Sequence, residues 1–338
     1  MNKLSIEYLI KLLSMPRIGR KTALKLIHDL SFNISNDNDL MDFVNENGKR
    51  FRLPVYTKNE FENAFSEAEQ IINNSEKLNI KMVSFQDENY PILLSRISDF
   101  PVILNYIGNI KLLSDKPCVA IIGTREATDF GIKIGIRFGE YFALKGFNIV
   151  SGLALGCDTA GHKGALNVNG ITTAILAHGL DKVYPKENQA LANNIVEKNG
   201  LLLSEYFVNQ SPLANYFVER DRIQAGLSLG VIVIETDIKG GTMHTVKYCL
   251  ENNRILASVN FPIEYLKESK RQGNQLLIKE GKAIPIYNKD DVENLLKQLQ
   301  SAYNSIGQEA DHKDSLKERL EQNLLKNGVV YFFNASYY

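Results

Sequence analysis

Two glycine-rich corners hold the residue types that bind anions. Gly123-Thr124-Arg125 offers main-chain N–H groups, a hydroxyl and a guanidinium; Lys239-Gly240-Gly241-Thr242 offers an ammonium, unshielded amides and a hydroxyl. Such sets suit a phosphate, because glycine lets the backbone approach an oxyanion and the amides that begin a helix carry positive partial charge. The first corner stands where the sequence changes period. Val119 to Ile122 is an uncharged β-branched run that reads as a buried strand, whereas Phe130, Ile134, Phe138 and Phe142 recur every four positions and predict an amphipathic helix. A strand, a glycine and a helix describe any α/β unit, so the inference rests on the repetition of the corner.

Further polar and glycine-containing loops follow other strand patterns: Ser151-Gly152-Leu153-Ala154-Leu155-Gly156-Cys157-Asp158, His178 to Lys182, Tyr184 to Asn188, and Ser204-Glu205-Tyr206. Asp158 can cap the helix it precedes. In the stretch Phe217 to Ile223, Arg220 and Arg222 lie about 200° apart on a helix, so one guanidinium faces the site while the other pairs with a carboxylate such as Glu205 or Glu235. Between Pro117 and Asn260, 13 lysines and arginines are balanced by 13 aspartates and glutamates. A positive edge therefore requires Arg125, Lys182, Lys186, Arg220 or Arg222, and Lys239 to converge while the acids lie elsewhere.

Elements that can position these loops alternate from Cys118 onward. Strands are predicted at 118–122, 147–151, 171–177, 200–204, 230–235 and 254–259, with helices at 130–145, 158–168, 187–198, 214–228 and 242–252. This is the pattern of a mostly parallel sheet wrapped by helices on both faces, an extended Rossmann-like α/β fold. Its carboxyl-end loops gather along one edge. The expected division is a helical domain over 1–80, a connector over 81–116, the Rossmann-like domain over 117–288 and a helical tail over 289–338. Within the first, two helices flank Met15 to Thr22, a turn similar to a helix-hairpin-helix in which Arg17 stands where a glycine is expected. Residues 31–50 read as loop or short helix, and Lys58 to Leu78 as a longer helix.

Composition excludes several classes. The 338 residues carry 39 basic and 39 acidic side chains, so no global field draws the chain to a polyanion. No apolar run approaches a membrane span, and Lys3, Glu7 and Lys11 interrupt the N-terminal stretch where a signal peptide would be apolar. Cys118, Cys157 and Cys249 fit neither a disulfide framework nor a zinc site and read as core thiols of a cytoplasmic protein. No metal-ligand spacing, cofactor motif or nucleophile–base pair is apparent, and His162, His178 and His244 are not linked by any spacing.

Together, Val-Ala-Ile-Ile-Gly-Thr-Arg, Ile-Val-Ser-Gly-Leu-Ala-Leu-Gly-Cys-Asp, Gly-Leu-Asp-x-Val-Tyr-Pro-Lys-Glu-Asn, Leu-Leu-Ser-Glu-Tyr, Arg-Asp-Arg-Ile-x-Ala-Gly-Leu-Ser and Lys-Gly-Gly-Thr resemble the DprA/Smf family of DNA-processing proteins. The resemblance spans roughly residues 80 to 287, including Tyr90-Pro91, Asp99-x-Pro101 and Gly273 to Ile278. It implies a dimeric protein that binds single-stranded DNA along the strand edge and hands it to the RecA recombinase; the lack of a recognisable catalytic set or cofactor motif adds the expectation of binding without catalysis. It points to Arg125 and Lys239 as DNA contacts and places Lys186 and Asn188 in a matching loop. The expected DNA- or phosphate-binding set is thus Gly123, Thr124, Arg125, Ser151, Gly152, Lys186, Asn188, Arg220, Arg222, Lys239, Gly240, Gly241 and Thr242. Two departures stand out: Arg220-Asp221-Arg222 replaces Arg-Asn-Arg, and Gly240-Gly241-Thr242 replaces Ser-Gly-Ser. The residues after Ile286 are too few for the winged helix that many members carry, although a charged helix-like stretch at Asp311–Lys326 precedes an aromatic end. An alternative is a nucleotide-binding sensor or N-glycosidase, since Gly240-Gly241-Thr242 is similar to the Gly-Gly-x-Gly-Thr corner of cytokinin-activating phosphoribohydrolases. A third places the same DNA-binding fold in a defence or mobile-element setting.

Overall fold

The computed structural model describes residues 3–262, 265 and 268–311. The stretch Asp311–Lys326 and the aromatic end lie outside these residues beyond Asp311 itself. Two compact units are present, one formed up to Tyr90 together with Ser95–Asn105, the other by Pro91–Leu94 and the chain from Tyr106. Residues 81–116 contribute to both.

The first unit contains α1 (Ile6–Ser14), α2 (Arg20–Asp29), α3 (Asp37–Gly48) and α4 (Lys58–Lys77), followed by β1 (Lys81–Ser84). Asn36 caps α3 by accepting from the Asp39 amide, so the polar stretch read as loop or short helix is a 12-residue helix. Thr57 and Glu60 form a capping box on α4. At the hairpin between α1 and α2, Arg17 adopts φ 66°, the left-handed conformation that explains why a glycine is expected there. Arg20 does not offer its charge to a ligand: its Nε and Nη2 each donate to Asp99 at 2.6 Å.

In chain order the remaining elements are α5 (Ile92–Ser95), β2 (Ile103–Gly108), α6 (Leu112–Asp115), β3 (Cys118–Ile122), α7 (Asp129–Leu144), β4 (Asn148–Ser151), α8 (Cys157–Asn167), β5 (Thr172–Leu176), α9 (Gln189–Glu197), β6 (Leu201–Ser204), α10 (Ala214–Leu227), β7 (Gly230–Val233), α11 (Thr242–Glu251), β8 (Ile255–Val259), α12 (Ser269–Lys279), β9 (Ile284–Ile286) and α13 (Lys289–Asp311). In the second unit the strands β6-β5-β4-β3-β7-β8-β9 lie side by side, every neighbouring pair parallel. Every residue of β3, β4, β5, β6 and β7 is buried, so both faces of the sheet are covered.

The order reverses around β3. Its neighbours are β4, which follows it in sequence, and β7, which comes much later. This is a topological switch point, where loops leaving adjacent strands part and open a crevice. The register Ile122↔Val233 sets the carboxyl ends of β3 and β7 level, so both glycine-rich corners open at one place.

The packing of α7 refines the apolar pattern. Its tightest face is the glycine row Gly131, Gly135 and Gly139, all buried. A Cβ on Gly139 would overlap the Gly161 carbonyl of α8, and one on Gly164 would overlap the Ile136 carbonyl, so the two helices meet backbone to backbone. Of the phenylalanine-rich stripe only Phe142 is fully buried; Ile134 and Phe138 are half-buried and Phe130 is 44% exposed.

Candidate nucleic-acid interface

The switch-point crevice is a cleft of about 390 Å³. Its lining includes Gly123, Thr124 and Arg125 from the first corner, Gly240, Gly241 and Thr242 from the second, and Phe217 and Arg220 from α10. Both glycine-rich corners thus open onto one cleft, whereas Lys182, Lys186 and Lys239 do not line it, and not every amide is available. Thr124 donates its N–H to the Glu235 carbonyl at 2.7 Å, stitching the first corner to the end of β7, and Gly240 donates to Asp237. The amides of Gly241 and Thr242, at the start of α11, have no acceptor among the described residues, and no side chain caps this helix. They are the donors free to meet an anion.

Buried contacts hold the first corner in place. Cys157 lies directly beneath Gly123, where a Cβ would overlap its sulfur, and the Cys157 amide donates to the Thr124 carbonyl. On the other side Glu235, fully buried, accepts from the Thr128 amide and hydroxyl, each at 2.8 Å, and from Arg271 Nε at 3.0 Å. The Arg271 guanidinium sits 4.6 Å from the Phe261 ring and 5.0 Å from that of Tyr265. Lys270 donates to the Glu126 carbonyl at 2.6 Å. Thus α12 fixes the loop between Gly123 and Thr128. Sequence reasoning missed this clamp, because Lys270 and Arg271 come from a distant helix and carry no local signal.

The two arginines of α10 take different roles. Arg222 is buried and bonded through Nη2 to both Glu205 oxygens at 2.7 Å, so it is the member that takes Glu205, and it does not line the cleft. Arg220 does line the cleft, yet only 5% of it is exposed. Its Nη1 donates to the Gly152 and Ile175 carbonyls and its Nε to Asp221 at 3.2 Å. Ser151 is buried and donates to the Ile121 carbonyl, the Gly152 amide donates to Asp158, and Asn188 donates to the Leu153 carbonyl and Thr159 hydroxyl. These residues brace the strand edge. Lys186 and Lys239 are exposed and lie outside the lining.

Acids do not lie elsewhere, as a positive edge would require: Glu126, Asp158, Asp221 and Asp237 all line the cleft. Each has a partner. Glu126 pairs with Lys270 at 3.3 Å, Asp221 with Arg220, and Asp237 accepts from the Lys239 amide. Asp158, instead of capping the helix ahead, accepts from the Gly152 and Ala154 amides behind it. Burial pushes its carboxyl up to about 6 against the opposing field of Arg220, and burial likewise raises Asp221. The cleft is therefore polar, with Arg220 set against both Asp158 and Asp221 at its floor and free amide donors at its mouth.

There Arg125, exposed, places its guanidinium 5.1 Å from the Phe217 ring centre, and Tyr184, 47% exposed, lies 5.9 Å from the same ring. Phe217 is half-buried and lines the cleft, so it is a wall of the site and not a core residue. Tyr206, in contrast, is buried and stacked on Tyr216. Of the three histidines that follow the first corner up to α11, His162 and His178 are buried and have their basicity lowered by that burial; His244 is exposed and lines the cleft.

A parallel sheet with two glycine-rich corners meeting at its switch point defines a Rossmann-like α/β protein with a polar cleft where the strand order reverses. The chain belongs to the DNA recombination-mediator protein A family, whose model matches residues 81–297. Protein Smf of Escherichia coli is 34% identical over 220 residues, covering 65% of this chain and 58% of that protein. DNA processing protein DprA of Streptococcus pneumoniae is 41% identical over 175 residues, 51% of this chain and 60% of the other. The match thus spans little more than half of these relatives' length. Two solved structures are similar: DNA processing protein A from Streptococcus pneumoniae (TM-score 0.71, 30% identity, 87% of this chain and 98% of that one), and the Helicobacter pylori protein, described for its single-stranded DNA binding mode (TM-score 0.58, 32% identity, 64% and 96%).

Proposed function

We propose that the cleft binds single-stranded DNA and that the chain is a DNA-processing protein acting by binding, without catalysis. The observation that carries this reading is the meeting of both glycine-rich corners at one cleft whose mouth joins free amides to an exposed guanidinium and aromatic rings. A phosphate is held by the Gly241 and Thr242 amides and by Arg125, while bases stack on Phe217 and Tyr184. Asp158 and Asp221, which share the one cation Arg220, repel a phosphate placed deep in the cleft, so the backbone of the strand follows the rim. The single-stranded DNA binding of the Helicobacter pylori relative supports the same substrate. Delivery of the strand to RecA and action as a homodimer complete the proposal, on the family resemblance alone.

Arg125→Ala is expected to weaken binding to an oligo-dT strand about tenfold and to flatten its salt dependence by about one phosphate contact. Lys239→Ala, outside the lining, is expected to cost about threefold or less, as a screened charge. Fluorescence anisotropy against single-stranded and double-stranded DNA measures both; unchanged affinity in Arg125→Ala, or preference for the duplex, refutes the reading.

The N-glycosidase alternative makes a different prediction. Glu251, the first glutamate after the second corner, closes α11 and faces Lys247 at 3.7 Å, outside the cleft lining. Nucleoside monophosphates are expected to survive prolonged incubation with the protein, as read by chromatography; release of free base would favour the enzyme.

A further inference from the structure

The apolar stripe of α7 left over by the glycine-faced packing lines a second depression, of about 730 Å³, together with Phe261, Ile286 and Val292. Three cations, Lys133, Arg137 and Lys289, stand on its rim, all exposed. None of them has an ion-pair partner among the described residues, and no described carboxylate lines the groove. Of the acids that begin α13, Asp290 is exposed beside Lys289 without lining the groove, Asp291 accepts from the Tyr287 and Asn288 amides, and Glu293 stands beside the Tyr141 hydroxyl.

We propose that this groove is a docking site for an acidic peptide segment of a partner protein, one that inserts an apolar or aromatic side chain between its carboxylates. The floor offers apolar area to an inserted side chain, and the rim offers Lys133 and Arg137 one helical turn apart to flanking carboxylates. The rings of the groove favour this occupant over unpaired bases. Phe130 is packed against Phe261 and Tyr265, and Phe138 against Phe142, which leaves Tyr287, 60% exposed, as the lining ring with an open face. A second copy of the chain is disfavoured because a two-fold contact centred on the groove sets the same three cations against each other.

The test uses the full chain and a fluorescein-labelled peptide, Glu-Asp-Glu-Phe-Leu-Asp-Glu, followed by anisotropy at low salt. Saturable binding is expected, weakened about tenfold by Arg137→Glu and by Lys133→Glu, and lost when the peptide's Phe and Leu are replaced by Ser. Both protein substitutions are at exposed positions, and an unchanged melting temperature confirms the fold. Absence of saturation up to about 1 mM overturns the proposal. So does binding that ignores Arg137→Glu, competition by oligo-dT with equal loss of DNA affinity in that variant, or a change in solution mass on making it, which would identify a nucleic-acid surface or a contact between copies.

Discussion

Arg220→Ala is expected to destabilise the protein by roughly 3–5 kcal/mol, because it leaves two buried carboxylates without their cation. Asp158 and Asp221 are 6% and 9% exposed, and Arg220 is the charge that opposes their raised pKa values. The pH dependence identifies the cause. An aspartate titrates near 3.9 when unfolded, whereas burial pushes Asp158 up to about 6 in the fold, so the contribution of this carboxyl to stability is fully present below about pH 4 and is lost as pH rises through about 6. Removing Arg220 drives both acids further up and extends that loss above pH 6. Urea midpoints at pH 5 and pH 8 should therefore show a larger deficit for the variant at pH 8. A variant that is as stable as the parent and defective only in oligo-dT binding would instead make Arg220 a DNA contact.

Arg271→Ala attacks the other buried pair. Glu235 would remain fully buried with only the Thr128 donors, and about 3–5 kcal/mol should be lost. Adding Glu235→Gln removes the uncompensated charge, and the double variant is expected to recover about 1–2 kcal/mol. The readout beyond stability is local: hydrogen exchange at the Thr124 and Thr128 amides should accelerate in Arg271→Ala before global unfolding. Equal protection of both amides would show that α12 does not hold the corner.

Much of the fold was legible because its signals are local. The β-branched run ending at Gly123 and the strand–helix alternation after it place β3 through β8 within a few residues of where they lie. The meeting of the two corners was legible through topology, since loops from a parallel sheet share an edge. What escaped depends on distant partners. Glu205 and Glu235 look alike in sequence, yet the first takes Arg222 and the second takes Arg271 from a helix that no spacing connects to it. The acids of the cleft escaped for a related reason: a charge count does not reveal that Asp158 turns back onto the Gly152 and Ala154 amides that come before it in the chain. The stripe of α7 misled in another way. Phenylalanines outrank glycines in any hydrophobic pattern, although a glycine row permits the closer helix contact.

The sulfur beneath Gly123 gives the corner a built-in reporter. Burial raises the Cys157 thiol well above its usual range and shields it from solvent, so an alkylating reagent can reach it only when the corner lifts away. The labelling rate of that one atom would then time the breathing of the cleft, and a ligand seated across the mouth would register as a slower clock.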